Sequence, residues 1–324
     1  MRERNEAILR RMMQDNDAAS TENAREASSG DQMRDFGEQG ITEAVVTSFE
    51  NAPDPRLREI MRSLVRHLHD FVRDVSLTQE EWRSAIDYLT RTGQLCTDKR
   101  QEFILLSDAL GVSMLVDAIN HRLPSGATET TVLGPFYVQN PPELPLGFNL
   151  GRGLGGEPLL VEGAVRSTNG TPVANAIVDV WHSDGEGYYD VQVAGLEGPR
   201  LRGRFRTDAH GRFYFWSVMP SSYSIPNDGP VGEMLEATGR HPYRPAHVHF
   251  MIEADGHEKL TTHLFVAGDP YLDSDAVFAV KNSLIQEFTL QPPGAAPDGT
   301  HIGRSWRKLT CNFALEPRAV QRAA

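Results

Sequence analysis

The chain has 324 residues, a formal net charge of −12 and two cysteines. An acidic chain with no basic stripe is a poor nucleic-acid binder, and Cys96 and Cys311 are too few and too isolated for a disulfide framework or a thiolate metal site. The length suggests about two domains; no window approaches a membrane span, and MRERNEAILRRMMQDNDAAS lacks the apolar core of a secretory signal, so a soluble protein of a reducing cytoplasm is expected.

Residues 1–35 are polar and are expected to form a mobile N-terminus. From 36 to 124 the pattern is helical. Ile60, Leu64, Val65, Leu68 and Phe71 recur at spacings of three and four, and Trp82, Ile86 and Leu89 follow Thr78, which with Glu80 and Glu81 makes an N-cap signal. Phe103, Leu106, Leu110 and Met114 continue the theme through ILLSDALGVSMLVDAIN. These stripes suit packing inside one subunit or between two. From 125 to 324 short strands alternate with turns. LLVEGAVRS and AIVDVWHS flank TNGTP, RFRT and RFYFWSV flank the turn Asp208 to Gly211, and HVHFMIE and KLTTHLFVA flank Ala254-Asp255-Gly256; each pair reads as a hairpin candidate. QPPGAAPDGT reads as a surface loop. Strands without helical crossovers predict an α+β chain, helical first and then a β-sandwich.

Within YRPAHVHF, His247 and His249 stand two apart on a strand, so both imidazoles project from one face and begin a metal site. Taken alone they also fit two half-exposed strand histidines. GYYDVQ supplies Tyr188 and Tyr189, and MPSSYSIP supplies Tyr223. A phenol ionises only near pH ~10, so tyrosinate at neutral pH needs a strong adjacent cation such as Fe(III). Arg244 is a permanent cation three residues before His247, placed to face an anionic ligand. The plainer alternative is two tyrosines packing by their rings with a loop arginine in water. His182 and His241 suit core or surface roles, and His67 and His69, two apart on a helix, diverge.

These residues, with LGPFY, DVWHSDGEGYYDVQ, RGRFRTDAHGRFYF, SIPNDGPVG, GRHPYRPAHVHF and LTTHLFVAGDPYLDSD in that order, resemble the intradiol ring-cleaving dioxygenases, the catechol 1,2-dioxygenase family, over roughly Phe36 to Phe313. The resemblance implies an N-terminal helical linker that joins two subunits and can enclose lipid, and a catalytic sandwich holding one non-haem Fe(III) per subunit between its sheets. It makes Tyr189, Tyr223, His247 and His249 the ligands, with Tyr189 rather than Tyr188 as the third residue of GYY. It makes Tyr223 the ligand that leaves to act as a base, and Arg244 the cation beside the ring. The reaction implied opens a catechol-type ring with dioxygen to a muconate.

His263 stands where catechol-cleaving members commonly carry glutamine, which with SIPNDGPVG moves the resemblance toward the hydroxyquinol 1,2-dioxygenase branch and benzene-1,2,4-triol. The pocket pattern of that branch maps onto Leu105, Asp108, Val132, Leu133, Gly134 and Pro135. It continues with Phe136, Ile225, Pro226 and Val277. Asp108 would accept the extra hydroxyl, or is a helix-surface aspartate between Leu106 and Leu110. Catechol or a substituted catechol is the alternative substrate. A non-catalytic sandwich binding small phenols and a zinc hydrolase are alternatives of other classes.

Overall fold

The computed structural model describes residues 36–38, 40–98, 100–122 and 126–318. The N-terminal stretch expected to be mobile, and Pro124, lie outside the described residues. The chain forms two compact units, one up to Ser84 and one from Ala85 onward.

The first unit contains helix α1 (Ile41–Ser48), α2 (Pro55–Asp74) and the start of α3 (Gln79–Gln94). Asp54 caps α2 by accepting from Arg56 N at 2.8 Å and Leu57 N at 3.3 Å, and Pro55 fills the first turn, where its missing N–H costs nothing. Thr78 and Glu81 form a reciprocal capping box at α3: Glu81 N donates to Thr78 Oγ1 at 3.2 Å and Thr78 N donates to Glu81 Oε2 at 2.9 Å. The stripe read from the sequence lies largely in the open. Leu64 and Leu68 are each 53% exposed and Phe71 52%, while Val65 is buried.

In the second unit the helical stretch around Asp108 is two helices, α4 (Glu102–Ala109) and α5 (Val112–Asn120), broken at Gly111 with φ +73°. Leu105, Leu106 and Met114 join the same buried core as the strands, so these helices pack with the sandwich, and by compactness the division between units falls inside α3. Among the described residues, no helix is long and apolar enough to cross a membrane.

Two sheets make the body of this unit. The first runs β10 (Thr289–Gln291), β13 (Trp306–Leu315), β1 (Pro158–Ser167) and β4 (Arg212–Val218). The second runs β3 (Arg202–Arg206), β2 (Ile177–His182), β7 (His247–Glu253), β8 (Leu260–Val266) and β9 (Ile285–Gln286). Two short ribbons, β5 (Tyr223–Ser224) with β6 (Tyr243–Arg244) and β11 (Gly294–Ala295) with β12 (His301–Ile302), and a sixth helix, α6 (Pro230–Ala237), complete it.

Of the three hairpin candidates only β7–β8 pairs; the turns after β1 and β3 carry the chain from one sheet to the other. Alternation of apolar side chains tells which face of a strand is buried but not which strand lies beside it. β1 is antiparallel to β4 and parallel to β13, and β8 is parallel to β9, so both sheets are mixed. The core lies between them. Phe213 and Phe313 of the first sheet stack against each other at 6.1 Å and meet Phe250 of the second at 6.3 and 4.9 Å; Phe205 stacks on Phe215 at 5.0 Å.

Candidate metal centre

Strand alternation locates the site. On β7, Val248, Phe250 and Ile252 point at the first sheet, so His247, His249 and Met251 must occupy the opposite face of the second. Cross-strand register then makes a row of Trp181, His249 and His263. A centre between the two sheets is therefore corrected: it lies on the outer face of the second sheet. The residues are buried all the same, because the segment from Thr131 to Tyr137 and the Tyr189 and Tyr223 segments pack over them.

Gly134 in that segment has φ +76°, and a Cβ there would stand 3.2 Å from His249 Cε1, so glycine serves both the backbone and the fit over the imidazole. Gly187 has φ +90°, and a Cβ there would meet Tyr223 Cβ at 2.9 Å; its absence lets the GYY loop close on Tyr223.

Three donor atoms converge. Tyr189 Oη lies 3.3 Å from His247 Nε2 and 3.1 Å from His249 Nε2, and the two Nε2 atoms are 3.1 Å apart. Donors at that spacing match ligands about 2 Å from one small ion. His247 Nδ1–H donates to Pro245 O at 2.7 Å, which leaves the Nε2 lone pair facing inward. The Tyr223 ring stands 5.4 Å from that of Tyr189, and its hydroxyl is 3.5 Å from Arg244 Nη1. Tyr223 and Arg244 are direct partners across the β5–β6 ribbon. Tyr188 is 54% exposed and stands apart from this cluster.

Burial dominates the electrostatics. It holds His247 well below the ordinary imidazole range, helped by the Arg244 charge, and does the same to His249 and His263, which lie against neighbouring imidazoles. All three are neutral, as metal ligation requires. Burial, then the Tyr223 oxygen, push the Tyr189 phenol well up, so a tyrosinate here demands a cation. For Arg244, burial opposes the charge, but the Asp275 carboxylate outweighs it and keeps the guanidinium protonated.

His263 was expected near substrate. It is fully buried, hydrogen-bonds Thr131 Oγ1 through Nδ1 and lies edge-on to His249 with ring centroids 4.0 Å apart. The nitrogens of His247, His249 and His263 that could bind a metal fall within 4.8 Å of one another. Among the described residues His249 Nδ1, His263 Nε2 and Trp181 Nε1 are buried without a hydrogen-bond partner. Trp181 stacks on His249 at 4.6 Å and 16°. His182 is bonded on both sides, to Ser183 O at 2.6 Å and Ser217 Oγ at 2.7 Å, and His241 bonds Ser274 Oγ at the surface.

Leu105, Asp108, Pro135, Phe136 and Pro226 line one cavity of about 490 Å³, and the Phe136 ring packs 4.5 Å from that of Tyr189. Val132 and Leu133 are partly buried against the core, and Ile225 and Val277 are buried within it; none of these four, nor Gly134 or His263, is on that cavity's wall. Asp108 is buried rather than on a helix surface, and burial pushes its carboxyl up against the opposing influence of Ser113 and Arg244. A second cavity, about 560 Å³, lies against the first sheet at Glu162, Tyr214 and Asn312 and includes none of these side chains.

Sequence reasoning did not single out Asp275, Asp190 or Arg202. Asp275 pairs with Arg244. The Asp190–Arg202 ion pair is buried, and Arg202 Nη1 also donates to Phe136 O at 2.9 Å, tying the Tyr189 loop to the segment over it. Asp190 and Asp275 lie inside quoted motifs, but nothing local marks an aspartate whose partner comes from another segment.

Two imidazole nitrogens and a phenol oxygen that converge beside a buried arginine form a site able to hold a metal ion. The chain belongs to the intradiol ring-cleaving dioxygenases, a family of non-haem iron enzymes: residues 133–317 match the family's dioxygenase model and residues 54–128 its catechol dioxygenase N-terminus model. It is 50% identical over 285 residues to 6-chlorohydroxyquinol 1,2-dioxygenase of Cupriavidus pinatubonensis, covering 88% of this chain and 99% of that one. The solved hydroxyquinol 1,2-dioxygenase of Pseudomonas putida superposes with a TM-score of 0.82 at 49% identity, covering 87% of this chain and 99% of that one. Catechol 1,2-dioxygenase of Pseudomonas arvilla gives 0.73 at 32%, over 88% and 97%.

Proposed function

We propose that this intradiol dioxygenase binds one Fe(III) per subunit through Tyr189, Tyr223, His247 and His249 and cleaves benzene-1,2,4-triol. The observation that carries the metal assignment is the mutual approach of Tyr189 Oη and the two Nε2 atoms at 3.1–3.3 Å. His263 offers zinc a third imidazole, but a high-pKa phenol among the three closest donor atoms favours a hard trivalent ion. Fe(III) held there supplies the charge that lets phenols ionise and draws electron density from a bound ring.

The protein's own groups do the rest. Tyr223, beside Arg244, takes a proton from an incoming ring hydroxyl, while Tyr189, packed against Phe136, stays in place. Arg244 Nη1 faces the negative charge that builds on the ring. Asp108, in the cavity with Pro135 and Phe136, accepts the third hydroxyl, a reading supported by the near-50% likeness to hydroxyquinol enzymes. Catechol is the alternative substrate. The exposed apolar stripe of α2 supports a homodimer formed through the helical region 36–124, with lipid enclosed at that interface. Two cysteines without a disulfide fit a cytoplasmic enzyme.

Purified protein tests the proposal by metal analysis, visible spectrum and oxygen uptake. Expected are about one iron per chain, a red-brown absorption that His247→Ala abolishes together with turnover, and faster uptake with benzene-1,2,4-triol than with catechol. An active, colourless zinc protein overturns the metal assignment, and a preference for catechol overturns the substrate alone.

A further inference from the structure

The Arg244 guanidinium has three nitrogens and only one of them faces the site. Nε donates to Asp275 Oδ1 at 3.0 Å and Nη2 to Asp275 Oδ2 at 3.4 Å, which leaves Nη1 3.5 Å from both Tyr223 Oη and His247 Nε2. Both partners of the pair are almost wholly buried, with side chains 3% and 2% exposed. A two-point carboxylate contact fixes the plane of a guanidinium as well as its position. Asp275 is itself held: its carboxylate accepts from Ala279 N at 3.0 Å and Val277 N at 3.4 Å, and its carbonyl accepts from Phe278 N at 3.1 Å. The loop is tight enough that Phe278 adopts φ +58°. Val277, a residue of the expected pocket, rides on it.

We propose that Asp275 is the positioning residue for Arg244: it takes up two of the three guanidinium nitrogens, aims the third at the bound ring and joins that cation to the wall carrying Val277. Asp275 touches neither ring nor metal ligand and acts through Arg244. This rests on the ring-cleaving reading of the site. A lone arginine on a flexible stem reorients as charge develops, whereas one locked to a rigid carboxylate is already in place.

The test is a double-mutant cycle on the iron-loaded full chain, with Asp275→Asn, Arg244→Gln and the two combined. Iron content, the visible band during anaerobic titration with 4-nitrocatechol, thermal midpoint and oxygen uptake are read for each. Asp275→Asn is expected to keep iron and the resting band, weaken binding of the catechol dianion at least fivefold and lower kcat at least tenfold. In the Arg244→Gln background the same change should alter either quantity less than twofold, because there is no cation left to aim. The double variant should also melt above Asp275→Asn, since it no longer buries an unpaired guanidinium. Equal fold-losses in both backgrounds, or wild-type binding and kcat in Asp275→Asn, overturn the assignment. If Asp275→Asn does not fold, a double variant that folds and melts no lower than Arg244→Gln supports the pairing, and one that also fails overturns it as a role acting through Arg244. A wild-type protein that takes up no oxygen with any catechol overturns the reading of the site, and this proposal with it.

Discussion

At the level of single residues, burial decides what each polar group can do. His182 sits between Ser183 O and Ser217 Oγ, and burial lowers its pKa to about 4. Its folded value is below the ~6.5 of an unfolded chain, so the unfolded state holds the extra proton at intermediate pH. Stability from this residue is complete above pH ~6.5 and is lost as pH falls toward ~4, by about 3 kcal/mol in all. Urea unfolding of wild type and His182→Gln from pH 7 to 4 should show the gap between them shrinking by that order; a constant gap refutes the assignment. Asp108 makes the second residue-scale prediction. If it accepts the third hydroxyl, Asp108→Ala lowers kcat/KM for benzene-1,2,4-triol roughly tenfold or more, about 1.4 kcal/mol, and leaves catechol nearly unchanged. Oxygen-uptake kinetics on both substrates measures this, and an equal loss on the two would mean that Asp108 supports the fold instead.

At the level of elements, the sequence was informative wherever the physics is local. The i, i+2 spacing of His247 and His249 announces a shared strand face, and Thr78 announces the start of α3 because cap and partner lie three residues apart. The tyrosines and Arg244 were singled out by residue type and likeness, and the structure brings them beside the histidines. What stayed hidden depends on partners from other segments: the Trp181–His249–His263 row, the face of the sheet that carries the site, the Asp275 and Arg202 ion pairs, and the two turns that change sheets. Helix α6 was missed because its opening PVG reads as loop. Pairing also makes Gly163 critical, for it lies opposite Cys311 in the parallel β1–β13 ladder, where a Cβ would fall 1.8 Å from Cys311 O. Gly163→Ala should therefore destabilise by about 3 kcal/mol or more, whereas Gly185→Ala, with open space around it, should stay within ~0.5 kcal/mol. Urea midpoints of the two variants decide this.

At the level of the whole molecule, Ile60, Leu64, Leu68 and Phe71 leave a continuous apolar stripe uncovered on α2. A second copy of the chain covering that stripe is the proposed assembly. Leu64→Glu with Leu68→Glu should then give a monomer by light scattering while visible absorption and iron content are retained. A wild-type protein that is already monomeric at micromolar concentration sinks the proposal. One consequence of the strand order concerns synthesis. Every strand of the second sheet precedes β13, which is the parallel neighbour of β1. As the polypeptide leaves the ribosome, all the proposed iron ligands emerge while one edge of β1 is still unpaired and the surface around Phe250 lacks its contact with Phe313. The nascent chain thus carries every proposed ligand before β13 arrives to close the core.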